Sequence, residues 1–295
     1  MRYQGAMTDK NVSDRRFYKA KTEAGFAEKQ LVTPQTQSTS YRLAFQDTDF
    51  LLREELRPVR FQLELLKTEM LLDEANIAST LVIYGSARIP EPDAADALLA
   101  LATDERSKTI AGRMKDKSRY YEQSRQLARL ASECAVTDDD GGRHFVVCSG
   151  GGPSIMEAAN RGAHDVGAES IGLNIVLPHE QAPNIYVTPD LSFQFHYFAL
   201  RKMHFLLRAR ALAVFPGGFG TFDEFFELLT LVQTGKVKKM PILLFGEEFW
   251  NRVVNFGELM LEGVISPPDL DLFQFVETAE EAWEAICAFY EIEKT

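Results

Sequence analysis

The sequence predicts an α/β fold: a doubly wound parallel sheet with helices on both faces, preceded by an N-terminal helical extension. Short, continuously apolar runs recur along residues 80–278 and end in glycine-rich or polar turns, as is typical of strands buried on both faces. Longer amphipathic stretches separate these runs and indicate helices. In sheets built from such strand–helix–strand units, ligands bind beyond the carboxyl ends of the strands.

The N-terminal part of the chain differs in composition from the rest. Residues 1–42 are polar, rich in Thr, Gln, Ser and Lys, and show no sustained period. They predict a flexible arm or a segment that orders against a partner subunit. Within 43–78, Leu, Val and Met recur at helical spacing and predict a helical lead-in, with Pro58 starting or kinking a helix. Residues 43–295 are predicted to form a single domain.

Six strands and six helices are predicted after the lead-in. The strands cover 80–87, 144–150, 169–176, 211–218, 241–247 and 273–278. The helices lie near 118–134, 153–166, 199–209, 221–234, 247–262 and 278–291. Residues 90–117 interrupt this alternation and are predicted to be an insertion that carries an additional helix.

Three of the predicted strands end in loops of small residues, at 85–88, 149–153 and 216–221. Exposed N–H groups at a helix start suit phosphate oxygens, and glycine lets a ligand approach the backbone closely. A tight turn explains one such loop equally well, but three loops at the same end of one sheet favour a phosphate site. No Gly-Lys-Ser/Thr and no G-x-G-x-x-G follows the first strand, which argues against a P-loop hydrolase and an NAD site. A monophosphate ligand is expected.

Two charged residues lie close to the third loop in sequence. Thr221 and Glu224 have the spacing of a capping box, with Thr221 as the helix N-cap and Asp223 and Glu224 in the first turn. Glu224 is equally a candidate catalytic carboxylate at the carboxyl edge of the sheet. Arg201 follows the largely apolar stretch FQFHYFAL, so we expect its guanidinium to lie near the domain and to hold phosphate or the ribose side.

Composition and charge narrow the classes of function. The formal net charge of −11 argues against nucleic acid polymers as partners, because binding a phosphate backbone needs a broad basic surface. No apolar run approaches the roughly 20 residues that span a bilayer. With no apolar leader at the start and three separated cysteines, a cytoplasmic protein without membrane partners is expected. The histidines lack the spacing of metal ligands, so no metal site is predicted. They are His144, His164, His179, His196 and His204.

The segment PGGFGTFDE (216–224) resembles the P-G-G-x-G-T-x-x-E signature of the Lonely Guy proteins, cytokinin-activating phosphoribohydrolases once mislabelled as lysine decarboxylases. The resemblance extends to Arg201-Lys202 and to GGGPSIMEAANRGA (150–163), and covers about residues 80–290. It implies a Rossmann-like fold and release of the base from a nucleoside 5′-monophosphate, leaving ribose 5-phosphate. It also implies that no cofactor is needed and that the active site lies at a dimer contact, so at least a homodimer is expected.

The resemblance also implies roles for individual residues. Arg201 and Glu224 correspond to the catalytic pair, whereas Asp223 is discounted because neighbouring helical side chains point about 100° apart. Met156 and Glu157 are expected near the base. The implied phosphate and ribose contacts are Gly85, Ser86, Arg88, Gly151, Gly152, Gly217, Gly218, Gly220 and Thr221.

The substrate and the presence of catalysis remain open at the level of sequence. The arm, lead-in and insertion resemble the longer bacterial branch of the family, so AMP is as good a candidate as an N6-modified AMP. A non-catalytic nucleotide sensor or a carrier of nucleotide-containing cofactors on the same fold is the alternative. Arg201 together with Glu224 favours an enzyme, because a carboxylate beside bound phosphate would weaken a protein that only binds.

Overall fold

The computed structural model describes residues 17–134, 136–178 and 182–292. By its internal contacts the chain divides into two compact units, Met1–Leu63 and Glu64–Thr295. Residues 1–16 of the predicted arm, together with His179, lie outside the described residues. Within those residues, no helix is both long enough and apolar enough to cross a bilayer.

The described part of the first unit consists of short helices joined by turns. It contains α1 (Ala20–Ala27), α2 (Thr48–Leu51) and the beginning of α3 (Arg57–Glu74). Asp47 caps α2 by accepting a hydrogen bond from the backbone N–H of Phe50 at 3.1 Å. The predicted boundary between arm and lead-in, at residue 42, falls inside this unit. Turns of 3₁₀ helix lie at Thr39–Tyr41, Ala44–Gln46 and Glu54–Leu56.

The second unit contains a seven-stranded sheet in which every strand pairs in parallel, which confirms the predicted fold class. The strand order is β4-β3-β2-β1-β5-β6-β7. One strand, β4, was missed by the sequence patterns because its short run SFQF passes directly into the apolar start of the next helix. The strands are β1 (Thr80–Tyr84), β2 (Val146–Ser149), β3 (Ile171–Ile175), β4 (Ser192–Phe195), β5 (Ala209–Val214), β6 (Ile242–Phe245) and β7 (Gln274–Val276).

The helices of this unit agree with the predicted alternation and differ in two places. Helix α5 begins at Glu105, capped by Asp104, and runs without a break through the end of the predicted insertion. The helix predicted at 247–262 is two helices, because Asn255 caps a new start. After α3 they are α4 (Pro92–Leu101), α5 (Glu105–Glu133), α6 (Ile155–Asp165), α7 (Phe198–Leu207), α8 (Phe219–Gln233), α9 (Glu247–Val253), α10 (Phe256–Leu261) and α11 (Ala279–Tyr290).

The hydrophobic core lies on both faces of the sheet. Successive residues of a strand point to opposite faces of the sheet. Leu81 and Ile83 of β1, two positions apart, therefore share one face, where they pack with α5, α6 and α11. Tyr84 points to the other face, where its ring meets the edge of Phe205 from α7 at a centroid distance of 5.0 Å. Phe225 of α8 and Trp250 of α9 are also fully buried and pack together. The central strands are therefore covered on both faces, as their continuous apolar runs predicted.

The strand order reverses direction at the centre of the sheet. From β1 the chain moves outward through β2, β3 and β4, then returns to place β5 on the other side of β1. The crevice between the ends of β1 and β5 is therefore the topological switch point, where such sheets bind ligands. The three glycine-bearing loops follow β1, β2 and β5, which are neighbours at this point.

Candidate active site

The three loops meet at the carboxyl end of the sheet. The backbone N–H of Ser86 donates to the carbonyl of Pro216 at 3.1 Å, which joins the first loop to the third. The N–H of Ile155 donates to the carbonyl of Ser86 at 3.4 Å, which joins the second loop to the first. Ser86 also accepts the N–H of Arg88 on its hydroxyl at 3.0 Å, and Arg88 itself is exposed. The structure thus brings all three predicted loops into one crevice.

Helix α8 starts earlier than the sequence spacing predicted. Its N-cap is Gly218, so Thr221 lies inside the first turn and is buried. The predicted capping box of Thr221 and Glu224 is therefore wrong, and Asp223 and Glu224 fall beyond the first turn. The backbone of Gly218 is extended, as is usual for an N-cap residue, so the helix starts directly after it. Among the described residues, no side chain accepts a hydrogen bond from the N–H groups of the first turn. Helix α8 accordingly begins with N–H groups that no side chain caps, beside the crevice.

Arg201 and Glu224 form a buried ion pair. Arg201 on α7 donates from Nη1 to Oε1 of Glu224 on α8 at 3.0 Å, and their side chains are 10% and 13% exposed. Arg201 Nε donates to the carbonyl of Leu173, in the middle of β3, at 2.6 Å. A Cβ added at Gly150 would lie 2.7 Å from Arg201 Nη2, so the remaining guanidinium nitrogen faces the second loop. The guanidinium thus links α7, α8, β3 and the Gly150 loop.

Burial determines the electrostatics of this pair. Burial raises the pKa of the Glu224 carboxyl to about 7, although Arg201 acts in the opposite direction and Asp223 adds to the rise. Burial and the charge of Glu224 also raise the pKa of Tyr84, at the end of β1. Glu224 is therefore a carboxyl group that gains and loses its proton near neutral pH, which suits a catalytic acid or base.

The neighbouring Lys202 is neutralised by carboxylates. Its ammonium group lies 2.9 Å from Asp223 and 3.0 Å from Glu227. Burial alone would lower the pKa of Lys202, but the two hydrogen bonds outweigh burial and raise it. A lysine held as ammonium is a poor nucleophile for a Schiff base. Asp223 is paired with Lys202, whereas Glu224 is paired with Arg201, so the two adjacent carboxylates have different partners.

Two asparagines hold the second loop: Asn160, which is buried and lies in the segment 150–163 quoted above, and Asn184, which is half-buried and which no sequence motif indicated. Asn184 Nδ2 donates to the carbonyls of Gly151 and Gly152 at 3.1 and 3.0 Å. It also lies 2.9 Å from Oδ1 of Asn160, which accepts the Ser149 hydroxyl at 2.7 Å. These bonds tie the loop carbonyls to Asn184. Gly151 has φ +71°, in the left-handed region that favours glycine.

The residues predicted near the base lie at the start of α6. A Cβ at Gly150 would lie 2.7 Å from the sulfur of Met156, so Met156 packs against the second loop. Glu157 accepts a hydrogen bond from the buried hydroxyl of Tyr121 at 3.2 Å, and Arg161 donates to the same hydroxyl at 3.3 Å. Tyr121 and Arg161 thus fix the Glu157 carboxylate. Sequence reasoning missed Tyr121, because α5 lies far from Glu157 along the chain, and it gave Arg161 no role although this residue lies on α6 within the segment 150–163.

Comparison with known proteins finds that this chain is similar to phosphoribohydrolases. Residues 156–286 match the family described as possible lysine decarboxylase. Two cytokinin riboside 5′-monophosphate phosphoribohydrolases of Arabidopsis thaliana are 27% and 26% identical over 139 and 154 residues. These alignments cover 46% and 51% of this chain and 63% and 67% of the relatives. Both relatives are named as LOG, or Lonely Guy, proteins, so the resemblance stated from the sequence is confirmed.

A protein of rice and two solved structures are also similar to this chain. A probable cytokinin riboside 5′-monophosphate phosphoribohydrolase of Oryza sativa subsp. japonica is 26% identical over 139 residues, 46% of this chain and 59% of that protein. A structural-genomics X-ray structure is 17% identical, with a TM-score of 0.45, over 70% of this chain and 98% of its own. The Moco carrier protein of Chlamydomonas reinhardtii is 15% identical, with a TM-score of 0.41, over 72% and 98%.

Proposed function

Because this chain matches the possible lysine decarboxylase family and the Lonely Guy phosphoribohydrolases, we propose that it hydrolyses the N-glycosidic bond of a nucleoside 5′-monophosphate. The products are the free base and ribose 5-phosphate. The observation that carries this proposal is the buried pair of Arg201 and Glu224 beside three glycine loops at the switch point. A site that only bound phosphate would be weakened by a carboxylate in this place.

Glu224 is assigned the chemical role. Breaking an N-glycosidic bond develops positive charge on the ribose, and a carboxylate held close to the sugar stabilises that charge in a poorly solvated site. The same carboxylate can orient water or a ribose hydroxyl. Arg201 holds Glu224 in position and neutralises part of its charge when the site is empty. Its Nη2, which faces Gly150, is the group we assign to the substrate.

The phosphate is assigned to the uncapped start of α8. Gly217, Gly218, Gly220 and Thr221 supply the N–H groups there, and binding the phosphate positions the glycosidic bond beside Glu224. The base then lies toward Met156 and Glu157. We propose AMP or an N6-modified AMP as the substrate: the carboxylate of Glu157 accepts hydrogen bonds and suits the exocyclic amino group of adenine.

Base release measured by chromatography tests this function. The substrates are AMP, GMP, CMP and N6-isopentenyl-AMP, and the proteins are wild type, Glu224→Gln and Asp223→Asn. Asp223 is the matched control because it is the adjacent carboxylate and is bound to Lys202. We expect wild type and Asp223→Asn to release adenine or its N6-substituted form and Glu224→Gln to release none. AMP binding without base release by wild type would leave the sensor or carrier alternative instead.

A further inference from the structure

The helix that carries Arg201 is capped by a carboxylate from another element. The N-cap of α7, Tyr197, provides no side-chain cap of its own. Instead Glu64 of α3 accepts the backbone N–H of His196 at 3.0 Å and that of Tyr197 at 3.1 Å, one on each carboxylate oxygen. The negative charge of Glu64 also lies beside the positive end of the α7 dipole, where it stabilises the helix. Glu64 therefore fixes where α7 begins.

The other end of α7 is held by the same helix. Arg208, the C-cap residue, donates to Glu69 at 3.0 Å and to Asp73 at 2.7 Å, both on α3. Glu69 also lies 3.2 Å from Nδ1 of His204, whose side chain is fully buried. Burial lowers the pKa of His204, against the charge of Glu69, so this ring is neutral at neutral pH. Three carboxylates of α3 thus bind α7 at both of its ends.

The position of α7 decides where the Arg201 guanidinium lies. Arg201 stands one turn into α7, and its Nη1 reaches Glu224 of α8 at 3.0 Å. A small shift of α7 along its axis would lengthen this contact. The Glu224 carboxyl would then stay buried but would lose the nearby positive charge of Arg201, which lowers its pKa. The pKa of Glu224 would therefore rise further.

We propose that Glu64 is a positioning residue, through which the lead-in helix α3 sets the Arg201–Glu224 contact. It acts through α7, at whose start its carboxylate accepts two backbone N–H groups. The inference rests on the proposed function for its kinetic readout only. The charged groups that face Glu224 are Arg201 and Lys202 from α7, Asp223 beside it on α8 and, when ionised, Tyr84 from β1.

The test compares Glu64→Ala with Glu74→Gln, a control at an exposed position on the same helix. The pH profile of kcat/KM is measured for AMP. With Glu64→Ala we expect the acid limb to move to higher pH, so that kcat/KM falls about tenfold near pH 6 and much less near pH 8.5. The pH profile of Glu64→Gln, which keeps one acceptor oxygen, should lie between those of Glu64→Ala and Glu74→Gln. An equal loss at every pH, or none, would overturn the inference.

A second measurement is independent of turnover. The Nε–H of Arg201 is buried and bonded to Leu173, so its NMR signal should be protected from solvent exchange and assignable with Arg201→Lys. We expect Glu64→Ala to shift this signal and speed its exchange, with Glu74→Gln unchanged. An unshifted signal overturns the positioning role even if the wild type hydrolyses nucleotides. A shifted signal in a protein that hydrolyses none would sink the proposed function alone.

Discussion

At the scale of single residues, the chemistry of the site depends on the charge that Glu224 carries near neutral pH. Glu224 faces Arg201 at 3.0 Å and is still dominated by burial, which raises its pKa to about 7. Asp223, one position earlier, is 59% exposed in its side chain and bound to Lys202. Two adjacent carboxylates thus have different environments, because neighbouring helical residues point to different sides.

We expect kcat/KM for base release to rise with pH up to about 7 and to level off above it. A carboxyl with a raised pKa holds its proton longer, so the active carboxylate is scarce at acidic pH. Each pH unit below 7 then lowers kcat/KM about tenfold. The substrate phosphate itself titrates near pH 6, so inhibition by ribose 5-phosphate provides the control. A rate that declines above about pH 7 would contradict a catalytic carboxylate.

The amide of Asn184 provides a second residue-scale prediction. Asn184→Asp replaces a donor by an acceptor 3.0 Å from the carbonyl of Gly152, so the loop should turn and bind ligand less well. We expect Kd for AMP to rise at least about tenfold, equivalent to about 1.4 kcal/mol. Calorimetric titration measures this, with Asn251→Ala on the surface of α9 as control. An unchanged Kd for AMP in Asn184→Asp would show that this loop does not contribute to nucleotide binding.

At the scale of elements, the start of α8 divides its glycines into two kinds. A Cβ at Gly217 would lie 2.5 Å from Cβ and 2.8 Å from Cγ2 of Thr221, so glycine is required there by packing. At Gly218 and Gly220 a Cβ would meet nothing within 4 Å. Packing does not require glycine at these two positions, and the proposed phosphate contact gives a physical reason for it.

Substitution by alanine separates these reasons. Gly217→Ala should destabilise the protein by about 1–3 kcal/mol, because the first turn of α8 has to move. Gly220→Ala should leave stability within about 0.5 kcal/mol of wild type or raise it, and should weaken AMP binding. Chemical denaturation and calorimetry measure the two effects. Full AMP affinity in Gly220→Ala would place the phosphate away from this turn.

At the scale of the whole molecule, apolar side chains remain exposed on α7 and α8. Met203 and Leu207 of α7 are 44% and 43% exposed, and they line a groove with Leu231 of α8 and Tyr290 of α11. Phe219, the first residue of α8, is 97% exposed. Exposed apolar patches of this kind mark interaction sites, and we propose that a second copy of the chain covers this one.

We expect sedimentation velocity to give at least the mass of two chains. Leu207→Asp should give single chains and lose base release, because an uncompensated charge cannot be buried in a contact between copies. Leu261→Asp, at a 73% exposed position on α10, is the matched control and should sediment as wild type. Single chains in the wild type, or an undisturbed assembly in Leu207→Asp, would contradict this contact.

The amino-acid sequence by itself determined the parallel α/β fold, the three strand-end loops and the identity of Arg201 and Glu224. These features are local: a strand buried on both faces is continuously apolar, and a phosphate loop is rich in glycine within a few residues. The predicted order of strand, loop and helix also indicated that the three loops share an edge, since the carboxyl ends of parallel strands lie together.

Only the tertiary structure decided the start of α8, the strand β4 and the partners that fix the site. Glu64 and His196 are 132 positions apart, and Asn184 and Gly151 are 33 apart, so no local period reports their contact. The pKa of Glu224 likewise follows from burial under other elements and from a guanidinium on another helix. A sequence pattern records which groups a chain carries, whereas their pairing and desolvation arise only when distant segments pack together.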